Sequence, residues 1–287
     1  MLNYSLKEFT KNCKKKISQV LYIKIKAKND QQVLNLIDNF LLEENSFIFE
    51  SVEKGKIKGR YTIFGKKPDK IWEFNKNQSF FYKNGRKVKI NGIPKKNIEK
   101  IIENFNFKIP KELPNISSII SGYFSYDIIR YVEKIPNNCI DDLDLPDARL
   151  LRPKILVIHD NLTKQIYFIY NCFSDDKIYN YEEKYKEIET ELEFNLYLST
   201  IRNHVHIKKI NKIERIKSNI SKKNFLNNVK RAKKHIKIGD IFQVVLSQRF
   251  EAPIDKPPLE IYNTLRILNP SPFMFYFNFD DFQILGS

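Results

Sequence analysis

The tract DARLLRPKILVIHDNLTKQIYFIYNCF, Asp147 to Phe173, constrains this chain more than any other. It holds two apolar, β-prone runs, Lys154 to His159 and Gln165 to Cys172, and the Asp160-Asn161 pair between them suits a turn. Two such runs joined by so short a connection predict antiparallel pairing. Further tracts repeat the signal. Ser46 to Gly65 gives two β-prone runs around a turn containing Lys and Gly, and FFYKNGRKVKING carries Asn84-Gly85, a strong hairpin pair. Near the end, FMFYFNF and FQILGS flank Asp280 and Asp281 as a further hairpin.

Helical periods are interleaved with these strands. After an apolar strand at Val20 to Ala27, Val33, Leu36, Ile37, Phe40 and Leu41 recur at helical spacing. Lys95 to Phe105 and the acidic, Tyr-rich stretch Asp175 to Asn195 read as helices, and Ser118 to Pro136 is apolar and aromatic, marked by Gly122. Ser221 is a good N-cap for a helix carrying Phe225, Val229, Ala232 and Ile236, and Gly239 is placed to end it. Ile241 to Phe250, IFQVVLSQRF, reads as a strand with Gln243, Val245, Ser247 and Arg249 on one side. Ile261, Leu265 and Leu268 mark a last helix that ends before Pro270. The mixture makes the chain α+β. The Lys-rich segment Lys208 to Lys217 behaves as a linker, which divides the sequence into residues 1–217 and 218–287.

With 42% hydrophobic and 13% aromatic residues, 287 residues can build a substantial core. No stretch approaches the roughly 18 consecutive apolar residues of a membrane span, and the start, MLNYSLKEFTKNCKKK, lacks the apolar centre of a signal peptide, so a cytoplasmic location without membrane contact is expected. The net charge of +16 invites phosphate, but the lysines are spread along the whole chain and no nucleic-acid motif accompanies them. Nucleic acid is therefore not expected as a partner. Cys13, Cys139 and Cys172, odd in number and far apart, suit neither a disulfide framework nor a zinc site and read as free thiols. His204 and His206 have no Cys or acidic partner at ligand spacing and read as a strand or loop pair.

Four segments, FIFESVEKGKIKGRYTIFG, GYFSYDIIRYVEKIP, GDIFQVVLSQRF and NPSPFMFYFNFDDFQILGS, in this order and together with LRPKILVIHDN, cover most of residues 46 to 287. In them the chain resembles the chorismate-utilising enzymes, most closely anthranilate synthase component I. The resemblance implies a sandwich of two antiparallel sheets with outer helices, an N-terminal domain over 1–217 and the start of a chorismate-binding catalytic domain over 218–287. It also implies a reaction: chorismate is aminated with ammonia from a glutamine amidotransferase partner, component II, and pyruvate is eliminated to leave anthranilate, on the way to tryptophan. Magnesium is the cofactor such a reaction uses, a hard cation that grips the substrate carboxylate.

The resemblance also assigns residues. Water-using relatives carry a lysine where Gln243 stands; an amide cannot act as a base on water but can hold ammonia by hydrogen bonds, which makes Gln243 the expected catalytic position of an aminating member. Tryptophan as feedback inhibitor is expected between Glu50-Ser51 and Pro272-Phe273-Met274, with Arg60 as a charged neighbour. From pattern alone, Phe273 to Tyr276 would be plain core. Two alternatives share these features: aminodeoxychorismate synthase component I, which also uses ammonia, and a non-enzymatic tryptophan-binding fragment. The segments that hold chorismate and magnesium in such enzymes do not occur in these 287 residues. A fold incomplete at its C-terminus and no synthase activity from this chain alone are thus expected, whether it is a partial gene product, a frameshifted remnant or half of a split enzyme.

Overall fold

The computed structural model describes residues 2–52, 59–83, 85–105, 107, 109–201 and 216–287. The turn expected within 53–58, Asn84, the histidines 204 and 206, and the linker up to 215 lie outside the described residues. Two compact units are present. The first comprises Met1–His204 with Ile261–Ser287, and the second Val205–Glu260.

In chain order the first unit contains α1 (Leu6–Lys14), β1 (Gln19–Lys26), α2 (Asp30–Phe40), β2 (Ser46–Glu50), β3 (Tyr61–Asn75), β4 (Gln78–Lys83), β5 (Arg86–Ile90), α3 (Pro94–Glu103), β6 (Ser121–Phe124), a 3-10 turn (Tyr126–Tyr131), β7 (Ala148–Asp160), β8 (Gln165–Cys172) and α4 (Tyr181–Leu198). The second unit contributes β9 (Lys217–Ser218), α5 (Lys222–Lys237) and β10 (Phe250–Glu251). Finally come α6 (Pro258–Leu268), β11 (Met274–Asn278) and β12 (Gln283–Gly286). The fold is α+β, and every strand pair is antiparallel.

The hairpin expected in Asp147 to Phe173 forms as β7 and β8, with Asp160 paired to Gln165. Its first strand begins at Ala148, ahead of the expected Lys154, and runs through Pro153. In the fold Pro153 stands opposite Pro68 of β3, and a register shift between Pro68 and Lys70 absorbs the two missing backbone donors. β3 and β7 run past this irregularity side by side and change outer partners across it. Before it β3 pairs with β2 and after it with β4; β7 pairs with β6 on one side of Pro153 and β8 on the other. Two sub-sheets therefore share their central strands: β1-β8-β7-β3-β2-β11-β12, and β6-β7-β3-β4-β5. Strands that pass from one sheet to another through a bulge are a known way to turn such a corner.

Alternation fills the core. Val20, Phe47, Leu156, Ile158, Ile169, Phe277 and Phe279 form one buried cluster, and Phe74, Ala148 and Leu150 with Ile98 and Ile101 of α3 form a second. Truncating a ring such as Phe47, stacked on Phe277 at 5.8 Å between centroids, would cost about 3–5 kcal/mol.

Local signals placed most elements. Gly85 takes a φ of 72°, and Lys83 pairs with Arg86, as a two-residue turn requires. Ser221 caps α5 by accepting from Asn224 N at 3.2 Å, and Gly239 leaves it with a φ of 85°. Two elements differ from expectation. α1 is unforeseen in the sequence reading, although Ser5 and Glu8 form a capping box at its start. The strand expected over Ile241 to Phe250 is realised only at its end, where Phe250 pairs with Ser218; the rest is irregular and largely exposed. Alternation marks a surface able to pair, but pairing needs a neighbouring strand, and β9 supplies two residues. Among the described residues no helix is long and apolar enough to cross a membrane.

Candidate functional site

The two halves of the expected effector site are brought together by one strand pair. β2 ends at Glu50 and β11 begins at Met274, and these two are Cα partners. Beyond the pair, Val52 N donates to Ser271 O at 2.8 Å, so Ser51 is flanked on both sides by backbone bonds or register partners from the 271–274 segment. Alternation then sorts the side chains. Met274 is buried, while Phe273 is 82% exposed and Pro272 is also exposed.

Glu50 is itself buried, and its carboxylate is fully engaged. It accepts from Arg266 Nη2 at 2.8 Å and from the Tyr262 hydroxyl, both on α6. Burial, with the Glu50 charge beside it, drives the Tyr262 hydroxyl far above the usual phenol range, so it donates and stays protonated. Behind them Asp38 of α2 accepts from Asn263 at 3.0 Å, and burial pushes its carboxyl up despite that bond and the nearby Arg266. Tyr262, Arg266 and Asp38 were missed in the sequence. Tyr262 and Arg266 are one helical turn apart and share a face, but nothing local says that this face meets a carboxylate.

Ser51 is different. Its hydroxyl is buried and has no hydrogen-bond partner among the described residues, a condition that costs about 1–3 kcal/mol unless a ligand or water relieves it. Gly59 packs against it so closely that a Cβ at that position would collide with Ser51 Cβ. Arg60 follows, but its guanidinium is already held by Asp160, through Nη2 at 2.9 Å and Nε at 3.1 Å. Gln243 belongs to the second unit, where it is exposed on the irregular segment after α5.

A second polar cluster occupies the β11–β12 turn. Arg149, 1% exposed, is bound by Glu73 Oε2 at 2.5 Å from Nη2, by Asp280 at 3.1 Å and by Asp281 Oδ2 at 2.9 Å. Phe279 and Phe282 stack on its guanidinium, 5.3 and 4.8 Å from ring centroid to Cζ. Asp280 and Asp281, read from the sequence as turn residues, thus also compensate a buried charge.

Among the described residues one group of three carboxylates could share a cation: Asp69, Asp175 and Asp176. It is already neutralised. Arg152 reaches Asp69 Oδ1 at 2.8 Å and Asp175 Oδ1 at 2.9 Å, Lys70 binds Asp175, and Lys154 binds Asp176. Carboxylates so paired do not fit a magnesium centre, which needs free oxygens.

A sequence model of the family described as chorismate binding enzyme matches residues 44–287. Anthranilate synthase component 1 of Acetivibrio thermocellus is 37% identical over 254 residues, 85% of this chain and 51% of the relative. That of Cereibacter sphaeroides is 30% identical over a 292-residue alignment, 99% of this chain and 58% of the relative. The crystal structure of anthranilate synthase component I from Streptococcus pneumoniae matches with a TM-score of 0.64 at 25% identity, over 82% of this chain and 52% of that one. The chain spans about half the length of the curated relatives it matches. With the family's segments carried in order on a fold shared with that structure, the chain belongs to the chorismate binding enzymes.

Proposed function

We propose that this chain serves anthranilate synthase chemistry as a component I: chorismate and ammonia go to anthranilate and pyruvate, ammonia comes from a glutamine amidotransferase partner, and tryptophan binds as inhibitor. Family membership and the names of the relatives support the reaction class. The observation that carries the reading is the state of Ser51, a closed-in hydroxyl without a partner among the described residues, one residue beyond the pairing of Glu50 with Met274. An amino acid is a ligand able to satisfy such a hydroxyl, and the exposed Pro272 and Phe273 offer apolar surface for an indole, with Met274 buried beneath them. Glu50 acts through Arg266 and Tyr262 as the anchor that holds the end of β2 in place. Arg60, shared with Asp160, supplies charge at the rim.

In the same reading Gln243 positions ammonia through its amide, residues 1–217 form the N-terminal domain, and residues 218–287 begin the catalytic one. Magnesium would supply electrostatic stabilisation of the chorismate carboxylate, and none of this chain's described carboxylates is assigned to it. Because the residues that the resemblance gives to chorismate and magnesium do not occur in this sequence, the chain by itself is proposed to form no anthranilate.

Calorimetry with L-tryptophan tests the reading without turnover. The chain should bind it, Ser51→Ala should weaken binding by roughly 5- to 30-fold through one lost hydrogen bond, and Ser51→Phe should abolish it. Absence of binding to the unaltered chain, or equal heats in the Ser51→Ala variant with its fold intact by circular dichroism, would remove the effector site and the strongest support for the component I reading.

A further inference from the structure

Cys13 and Cys172 read from the sequence as unrelated thiols, but the fold makes them neighbours. The last turns of α1 lie beside the β1–β8 pair. Gln19, which opens β1, is the Cα partner of Cys172, and its Nε2 donates to Cys13 Sγ at 3.2 Å. Cys13 and Cys172 line one cavity.

The two positions differ in chemistry and access. The neighbouring Cys172 thiol and then the Gln19 amide favour a thiolate at Cys13 and hold its pKa below the ordinary range, against burial and the Asp176 charge. Cys172, beside Cys13 and buried, is pushed far up. The cavity, about 420 Å³, is also walled by Lys14, Lys16 and Lys177, cations that attract anions, and by Asp176, whose charge disfavours a thiolate at either cysteine. Cys13 is half-buried and reachable by a small oxidant, whereas Cys139 is exposed on the connection before β7. Two adjacent cysteines could simply fill space as small apolar residues. An amide donor on the Cys13 sulfur and a second thiol in the same cavity go beyond what filling requires.

We propose that Cys13 and Cys172 form a peroxide-reactive dithiol, with Cys13 as attacking sulfur and Cys172 as resolving sulfur, which closes to a disulfide joining α1 to β8. The Cys13 thiolate attacks one oxygen of hydrogen peroxide, the O–O bond breaks, and hydroxide leaves with a proton from solvent as water, giving a sulfenic acid. Cys172 then loses its proton and attacks that sulfur; the S–S bond forms, and the sulfenic hydroxyl leaves with the proton as a second water. Two thiols are oxidised by two electrons, and one peroxide is reduced to two waters. A thiol reductant reverses the step.

The test uses the full chain with Cys139→Ser to prevent cross-linking between molecules. After equimolar hydrogen peroxide and alkylation, mass spectrometry should find both alkylation sites lost, the mass of two hydrogens missing, one linked peptide containing Cys13 and Cys172, and full reversal by dithiothreitol. The oxidised form should melt roughly 5 °C or more above the reduced one, since a long loop of the unfolded chain is closed. In the otherwise unaltered protein, alkylation of Cys13 should reach half its maximal rate at lower pH than that of Cys139. Cys13→Ser should leave Cys172 unoxidised. Oxygen adducts without a linked peptide, or a Cys13 alkylation profile at or above that of Cys139, would overturn the proposal and leave the pair as packing.

Discussion

Arg266 of α6 and Glu50 of β2 meet inside the first unit, Nη2 to Oε2 at 2.8 Å, with the Tyr262 hydroxyl on the same carboxylate. The Glu50 side chain is 3% exposed and that of Arg266 19%, so each charge depends on the other for its compensation. The end of β2, where Ser51 stands, is thereby held by a charge pair as well as by its strand partner.

Glu50→Gln should cost about 3 kcal/mol of stability, because Arg266 is left in a poorly solvated position without its counter-charge. Arg266→Met should cost a similar amount by stranding Glu50. The double variant should fall short of the sum by about 1–3 kcal/mol in urea unfolding, and strict additivity would mean that the two side chains do not stabilise each other.

Burial alone would raise the Glu73 carboxyl, but Lys87 and Arg149 outweigh it and hold it below the ordinary range. Asp175 is held down in the same way by Lys70 and Arg152. A carboxyl depressed in the fold adds stability that is present above its unfolded pKa, about 4, and lost as pH falls through the folded value. Denaturation should therefore set in below about pH 4. Arg149→Met should lower stability at neutral pH by about 3 kcal/mol and flatten the acid limb. An unchanged acid limb would remove Glu73 from the account.

His159 titrates in a separate window. Burial, and then Lys164, depress its pKa, and its buried Nε2 has no acceptor among the described residues. A base whose folded pKa lies below its unfolded value of about 6.5 stabilises the fold fully above that pH, and the contribution is lost as pH falls below it. The thermal midpoint should decline as pH falls below about 6.5, and His159→Gln should remove that decline while leaving the carboxylate limb near pH 4. A decline that persists in the variant assigns the effect elsewhere.

Most elements were legible because their causes are local. Gly85 needs no distant partner to take the positive φ of its turn, and Ser221 caps its helix with its own hydroxyl. The failures are of two kinds. α1 has its start signal in Ser5 and Glu8 but buries only Phe9, so its apolar period is faint. The strand over 241–250 was over-read, since alternation there has only a two-residue partner. In the candidate site, Glu50-Ser51 and Pro272-Phe273-Met274 were visible through resemblance, but pattern alone filed 273–276 as core, and Met274 and Tyr276 are buried.

By itself the sequence determined the class of fold, the positions of its turns and caps, and the family, because periodicity, turn chemistry and ordered motifs all reside in neighbouring residues. Only the tertiary structure decided which charges are buried and with whom: Glu50 with Arg266, Arg149 with Glu73 and Asp281, Cys13 beside Cys172. A buried charge or thiol takes its chemistry from whatever the fold sets within a few ångströms of it, and the partners named here come from distant parts of the chain.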